Sequence, residues 1–171
     1  MAHFTLDYPS TRGLIEAQEP TAPCGGFDTV GARTQFPLTK GFIQIDSGHP
    51  RSEVKVNVVY GDNPSAADFT TAAGTPAASL SVDHPGNVCV TVDLADFKGA
   101  ADNINATIQV VYNGGDSPLY QCTDVVLVTS AEGFDQTKCV NEQPTSAAAA
   151  ISVKNAATAV VAVVMAAAMA L

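Results

Sequence analysis

Alternation of apolar and polar positions dominates the middle of the chain. Across residues 53–60, Val54, Val56, Val58 and Tyr60 alternate with Glu53, Lys55, Asn57 and Val59, the period of a half-buried strand. Val88–Leu94 places Val88, Val90, Val92 and Leu94 on one face, and Ala106–Tyr112 does the same with Ile108, Val110 and Tyr112. Tyr120–Val128 is the last long strand, apolar on both faces further along and so expected to be central; Phe42–Asp46 reads as a shorter one. Between them lie turn formers. Leu14–Pro23 reads as a loop, Cys24-Gly25-Gly26 and Asn113-Gly114-Gly115-Asp116 as turns, and 129–143 as a polar trailing loop with Cys139. Residues 62–85 read as a long loop with one short strand at 78–82. Short alternating strands with almost no helical period predict an all-β fold, an antiparallel β-sandwich of immunoglobulin or fibronectin III-like type with long loops.

Composition narrows the function. The 171 residues suit one domain, and no internal repeat is evident. A formal net charge of −9 leaves no basic stripe to neutralise phosphates, which argues against nucleic acid as a partner. Four cysteines, Cys24, Cys89, Cys122 and Cys139, include no pair at CxxC spacing, so a zinc ribbon is not expected. An even count favours two disulfides in an oxidising compartment, with three connectivities open. Asn105-Ala106-Thr107 is an acceptor for N-glycosylation, in keeping with secretion.

The two ends carry their own signals. Met1-Ala2 precedes His3 with no basic and apolar leader, and Ala2 is the small type of residue that precedes a signal-peptidase cut. Residues 1–2 therefore read as the remnant of a missing leader, with the mature chain starting at His3. At the other end, every residue from Ala156 to Leu171 except Thr158 is Ala, Val, Met or Leu. That stretch is short for a transmembrane helix, which needs about 20 residues. Small residues around Ser146, a modest spacer and an apolar end match a GPI-attachment signal, with Ser146 as the expected site. The expected organisation is a remnant at 1–2, a β-sandwich domain at 3–140, a linker with the attachment region at 141–155 and a hydrophobic signal tail at 156–171.

Candidate chemistry rests on few residues. His49 lies in the turn Asp46-Ser47-Gly48-His49-Pro50 and His84 in Val82-Asp83-His84-Pro85-Gly86. His3 becomes unusual if it starts the mature chain, since it then offers an α-amine and an imidazole together. Asp124 falls on the same face as Cys122 and Val126 in an otherwise apolar strand. A buried carboxylate there needs either a cation such as Arg12 or Arg33, or a metal, and both readings stay open. No G-x-S-x-G, H-E-x-x-H or P-loop pattern supports hydrolysis. Two imidazoles with a terminal amine point to copper, which favours nitrogen-rich ligation.

His3-Phe-Thr-Leu-Asp-Tyr-Pro-Ser-Thr-Arg-Gly13, Pro23-Cys-Gly-Gly26, Arg33-Thr-Gln-Phe-Pro-Leu38, the turn with His49, and Tyr120-Gln-Cys-Thr-Asp124 occur in this order over residues 3 to 140. Together they resemble the fungal copper-binding proteins similar to lytic polysaccharide monooxygenases, of the copper acquisition factor type. The resemblance implies a GPI-anchored sandwich with a histidine brace. In it the amine and ring of the N-terminal histidine and the ring of a second histidine hold copper, mapping onto His3 and His49. It also implies an aspartate ligand, mapping onto Asp124, and the disulfides Cys24–Cys122 and Cys89–Cys139. Thr123 departs from the small residue expected there. The larger departure is Met1-Ala2, which must be removed before His3 has a free amine.

The expected function is that of an extracellular copper-binding protein at the plasma-membrane face or cell wall. It would be a GPI-anchored monomer that captures Cu(II), passes copper to a surface transporter and does not cleave polysaccharide. The alternatives are a copper-dependent lytic polysaccharide monooxygenase and a structural wall protein. The absence of Trp and the scarcity of surface-suited Tyr speak against a flat sugar-binding platform.

Overall fold

The computed structural model describes residues 3–142. Met1, Ala2, Ser146, most of the expected linker and the tail at 156–171 lie outside the described residues.

The described chain is an all-β sandwich. A three-stranded sheet has the order β1 (Phe4–Tyr8), β3 (Gly41–Ser47), β6 (Gly86–Val92). A five-stranded sheet has the order β2 (Thr34–Pro37), β8 (Leu119–Val128), β7 (Ile104–Asn113), β4 (Ser52–Tyr60), β5 (Ala78–Val82). The alternating positions of the sequence form the inner faces. Val54, Val56, Ile108, Val110 and Leu127 of the large sheet meet Ile43, Ile45, Val90 and Val92 of the small one in a single buried core. The strand-period expectation for these segments therefore holds to within a residue or two at most ends.

Pairing is antiparallel except at one edge, where β2 runs parallel to β8 with Thr34 opposite Val125 and Pro37 opposite Val128. The chain reaches that edge after the long excursion of residues 9–33, which sets the direction of entry. The loop expected at 62–85 also contains a short helix, α1 (Ala66–Ala72), as well as β5. Its start is fixed locally. The Asp68 carboxylate accepts from both the backbone N–H and the hydroxyl of Ser65 at 2.7 Å, a capping box too brief to register as helical periodicity. Buried Phe69 then pins the helix to the outer face of the large sheet, beside Val59 and the half-cystines Cys24 and Cys122.

Both outer faces are covered by a loop held with a disulfide. Residues 9–33 lie over β8 and are tied to it by Cys24–Cys122. The trailing segment lies over the small sheet and is tied to β6 by Cys89–Cys139. Two observations show how it is seated. Phe134 packs against Tyr8, Phe36 and Phe42 with ring centroids 5.0–5.3 Å apart, and Gln44 exchanges two hydrogen bonds with the backbone of Val140, of 2.9 and 3.0 Å. Outward-facing Gln44 is thus as buried as a core residue.

Candidate metal centre

β1 and β3 are neighbours, and their register brings the chain start to the turn that leaves β3. Phe4 stands opposite Ser47, and one residue further the Gly48 N–H donates to the His3 carbonyl at 2.9 Å. His3 and His49 therefore share one end of the small sheet. The turn is supported from below. The Ser47 hydroxyl donates to the His49 carbonyl at 3.1 Å and pairs with the Tyr112 hydroxyl at 2.8 Å, while the Tyr112 ring stacks on Phe4 at 4.9 Å. The His49 ring lies 2.8 Å from the Arg51 carbonyl through Nδ1, and the Arg51 N–H approaches the same nitrogen at 3.4 Å, so this side of the ring is engaged while Nε2 makes no hydrogen bond among the described residues. His84 sits in the turn into β6, whose first residue Gly86 pairs with Ser47, and its Nδ1 donates to the Pro85 carbonyl at 2.9 Å. It lies on the β6 side of this end of the sheet and meets neither His3 nor His49 through a hydrogen bond.

The carboxylate that reaches His3 is Glu19. Its Oε2 lies 2.7 Å from His3 Nδ1; the imidazole side chain is 35% exposed and Glu19 only 1%. Glu19 follows a single 3-10 turn at Glu16–Gln18 within the excursion, and its carbonyl accepts the Tyr120 N–H at 2.9 Å, which pins it against the start of β8. Buried Gln121, next along β8, then ties three things together. Its Nε2 donates to Glu19 Oε1 at 3.0 Å and to the Phe4 carbonyl at 2.8 Å, and its Oε1 accepts the Leu6 N–H at 3.1 Å. Sequence reasoning missed Glu19 and Gln121. Glu19 sits in a segment without periodicity, and only Gln121, polar on the inner side of an apolar strand, gave any signal.

Asp124 is placed elsewhere. Gln121, Thr123 and Val125 face inward, so Asp124 shares the outer face with Cys122, under the excursion. There it meets the Arg12 guanidinium in a two-pronged pair, Nε to Oδ2 and Nη2 to Oδ1, both 2.8 Å. Thr107 donates to Oδ1 at 2.6 Å and the Gly31 N–H to Oδ2 at 2.7 Å. Burial alone would push this carboxyl up; the hydrogen bonds from Arg12, Thr107 and Gly31 and the guanidinium charge outweigh it and hold Asp124 below the ordinary carboxylate range. Of the two readings the sequence left open, the structure shows the ion pair, with Arg12 and not Arg33 as the partner. Arg33 instead donates to the carbonyls of Ala106, Val125, Gly61 and Asp62. The structure does not bring Asp124 together with His3 and His49.

The remaining candidates are placed as follows. Both disulfides have the expected pairing, Cys24–Cys122 and Cys89–Cys139. The Asn105 amide donates to Asp62 Oδ1 at 2.7 Å on a half-buried strand position. Ser146 lies outside the described residues. Among the described residues no three His, Cys, Asp or Glu side chains form a closed cluster, so a site at His3 depends on its main-chain nitrogen and on the His49 ring turning in.

Comparison with known proteins gives a consistent answer. The family model described as copper acquisition factor BIM1-like matches residues 1–144. The chain is similar to copper acquisition factor BIM1 of Cryptococcus neoformans var. grubii, 40% identical over 148 residues that cover 83% of this chain and 67% of that one. It is 38% identical over the same shares to the protein of that name from Cryptococcus neoformans var. neoformans. Lytic polysaccharide monooxygenase-like protein X325 of Yarrowia lipolytica is more distant, 29% identical over 86% of this chain and 57% of that one. With most of the chain matched by the family model and by relatives at this identity, the chain belongs to the BIM1-like copper acquisition factor family.

Proposed function

We propose that this protein captures Cu(II) at the end of the small sheet and serves in copper acquisition, with His3 and His49 as nitrogen ligands. The observation that carries the reading is the β1–β3 register, which sets His3 against the turn bearing His49 and leaves His49 Nε2 open. The residues fit the metal: two imidazoles and a primary amine make the nitrogen-rich donor set copper favours. The amine exists only once the chain begins at His3, so removal of Met1-Ala2 is part of the proposal. Membership of the copper acquisition family supports the role, and the names of the Cryptococcus relatives agree with it.

Capture rather than polysaccharide cleavage fits the surroundings of His3. Tyr112 is fully buried, Tyr8 stacks on Phe42 and meets Phe134 at a tilt, Tyr60 packs against the core, and Tyr120 lines the cleft beside α1. None of the four gives a flat exposed ring for sugar beside the histidines. The apolar tail at 156–171 and the disulfides support an extracellular, lipid-anchored monomer at the plasma membrane or wall, handing copper to a surface transporter.

Titration of the domain processed to start at His3 tests the proposal. Cu(II) should bind tighter than about 1 μM. His3→Ala and His49→Ala should each weaken it by more than the 10–100-fold that an outer partner costs. Weaker binding that neither change affects would overturn it, and oxidised oligosaccharides formed with a reductant would restore the enzymatic reading.

A further inference from the structure

The outer face of the large sheet holds a cleft that the copper reading does not use. Its floor is the outer side of β4 and β7, where Glu53, Lys55 and Asn57 stand opposite Asn113, Val111 and Gln109. Phe69 and Ala73 of α1 form one wall; Pro23 of the excursion, Pro118 and Tyr120 form the other. The cleft has a volume of about 780 Å³, within the range of about 300–1,000 Å³ usual for small-molecule sites.

Its floor carries a group that the fold does not satisfy. The Pro23 carbonyl can only accept, so the Gln109 amide must turn Nε2 toward it, at 2.8 Å. Gln109 Oε1 then accepts from Asn57 Nδ2, also at 2.8 Å. This relay fixes the Asn57 amide too, and leaves Asn57 Oδ1 buried and without a partner. Native structures rarely leave such an acceptor unmade. Two residues back on the same face of β4, exposed Lys55 makes no ion pair among the described residues. Glu53, two further back, is engaged by the Ser81 hydroxyl at 2.7 Å.

We propose that this cleft binds a small monocarboxylic acid with an apolar body and an adjacent N–H, of the N-acyl amino acid class. The N–H donates to Asn57 Oδ1, the carboxylate pairs with Lys55, and the apolar side chain lies between Phe69 and Tyr120. The spacing suits such a molecule. Residues two apart on a strand stand about 6.6–6.8 Å apart, and the flexible Lys55 stem spans that gap to a carboxylate beside the N–H. One free cation with Glu53 beyond it selects a monoanion, since a second negative charge would face the Glu53 carboxylate. The floor belongs to the large sheet and the histidines to the end of the small one, so this inference stands apart from copper.

The test is a nuclear magnetic resonance titration of the copper-free protein with N-acetylphenylalanine. Binding at about 1 mM or tighter is expected, with shifts centred on the amides of Lys55, Asn57, Val111 and Tyr120. The uncharged N-acetylphenylalaninamide should bind at least about fivefold more weakly, and Lys55→Gln, a change at an exposed site, should erase that preference. N-acetyl-N-methylphenylalanine, which lacks the N–H, should lose about tenfold, which tests the Asn57 contact without altering the protein. No binding at 10 mM, roughly tenfold above the expected constant, would overturn the proposal and leave the Asn57 acceptor to solvent. Shifts confined to another surface would overturn it as well. Equal binding of acid and amide would overturn the role of Lys55, and equal binding of the N-methyl compound that of Asn57.

Discussion

Asp124 shows how far a single residue can be read. Its burial was legible, because the two-residue period puts it on one face of an apolar strand, and so was its need for a positive partner. Which partner was not legible, since Arg12 lies 112 positions away and approaches only because the excursion folds back over β8. The pair has a measurable signature. Asp124→Asn leaves the Arg12 guanidinium, 4% exposed, without its counter-charge and should cost about 3–5 kcal/mol in urea unfolding. The sign with pH follows from the lowered pKa. The contribution is complete above about pH 4, where the unfolded chain is ionised, and is lost as pH falls through the lower value of the folded state. Unfolding measured between pH 2 and 5 should therefore steepen in the parent protein and flatten in Asp124→Asn. Glu19 was illegible for a different reason. Nothing in Leu14–Pro23 has a period, and its burial is conferred from outside by Tyr120, Gln121 and the disulfide.

At the scale of elements, sheets were easier to read than the segments on top of them. Strands β4, β6 and β7 announce themselves by an alternating apolar face, and β8 by its length and its apolar second half. β1 and β2 do not, being short and placed at sheet edges, and α1 depends on a three-residue capping signal. The decisive element for the proposed metal site is the β1–β3 junction. A Cβ built on Gly48 would stand 2.6 Å from the His3 carbonyl oxygen, a backbone atom that cannot swing aside. Gly48→Ala should accordingly push the chain start off the turn, costing roughly 1–3 kcal/mol and weakening copper binding about tenfold or more. Equilibrium unfolding and a copper titration on the same sample separate the two effects. Unaltered affinity would show that the closeness of His3 to the turn is unimportant for the metal.

For the molecule as a whole, each disulfide ties a loop onto an outer face, but among the described residues only the excursion touches His3, through Glu19. Breaking Cys24–Cys122 with paired Ser substitutions frees the excursion that holds Glu19, whereas breaking Cys89–Cys139 frees the trailing segment on the other sheet. Both changes should cost about 2–5 kcal/mol of stability. Copper affinity should fall with the first pair and stay within about twofold with the second, since the trailing segment shares no partner with the site. Competition titrations below the unfolding range check the difference. The sandwich was visible in the sequence because core strands obey local periodicity; the loops were not, because their places are set by cross-links between distant parts of the chain.

The anchorage of Glu19 also bears on how the protein is made. His3 and Glu19 precede most of the sandwich strands in the sequence, yet what holds Glu19 in place (Tyr120, Gln121 and Cys122) comes from β8, the last strand of the sandwich. A nascent or truncated chain that stops short of β8 would expose His3 without the Glu19 carboxylate held against it. On the copper proposal, tight loading would require the finished sandwich, and a chain lacking β8 should bind Cu(II) more weakly.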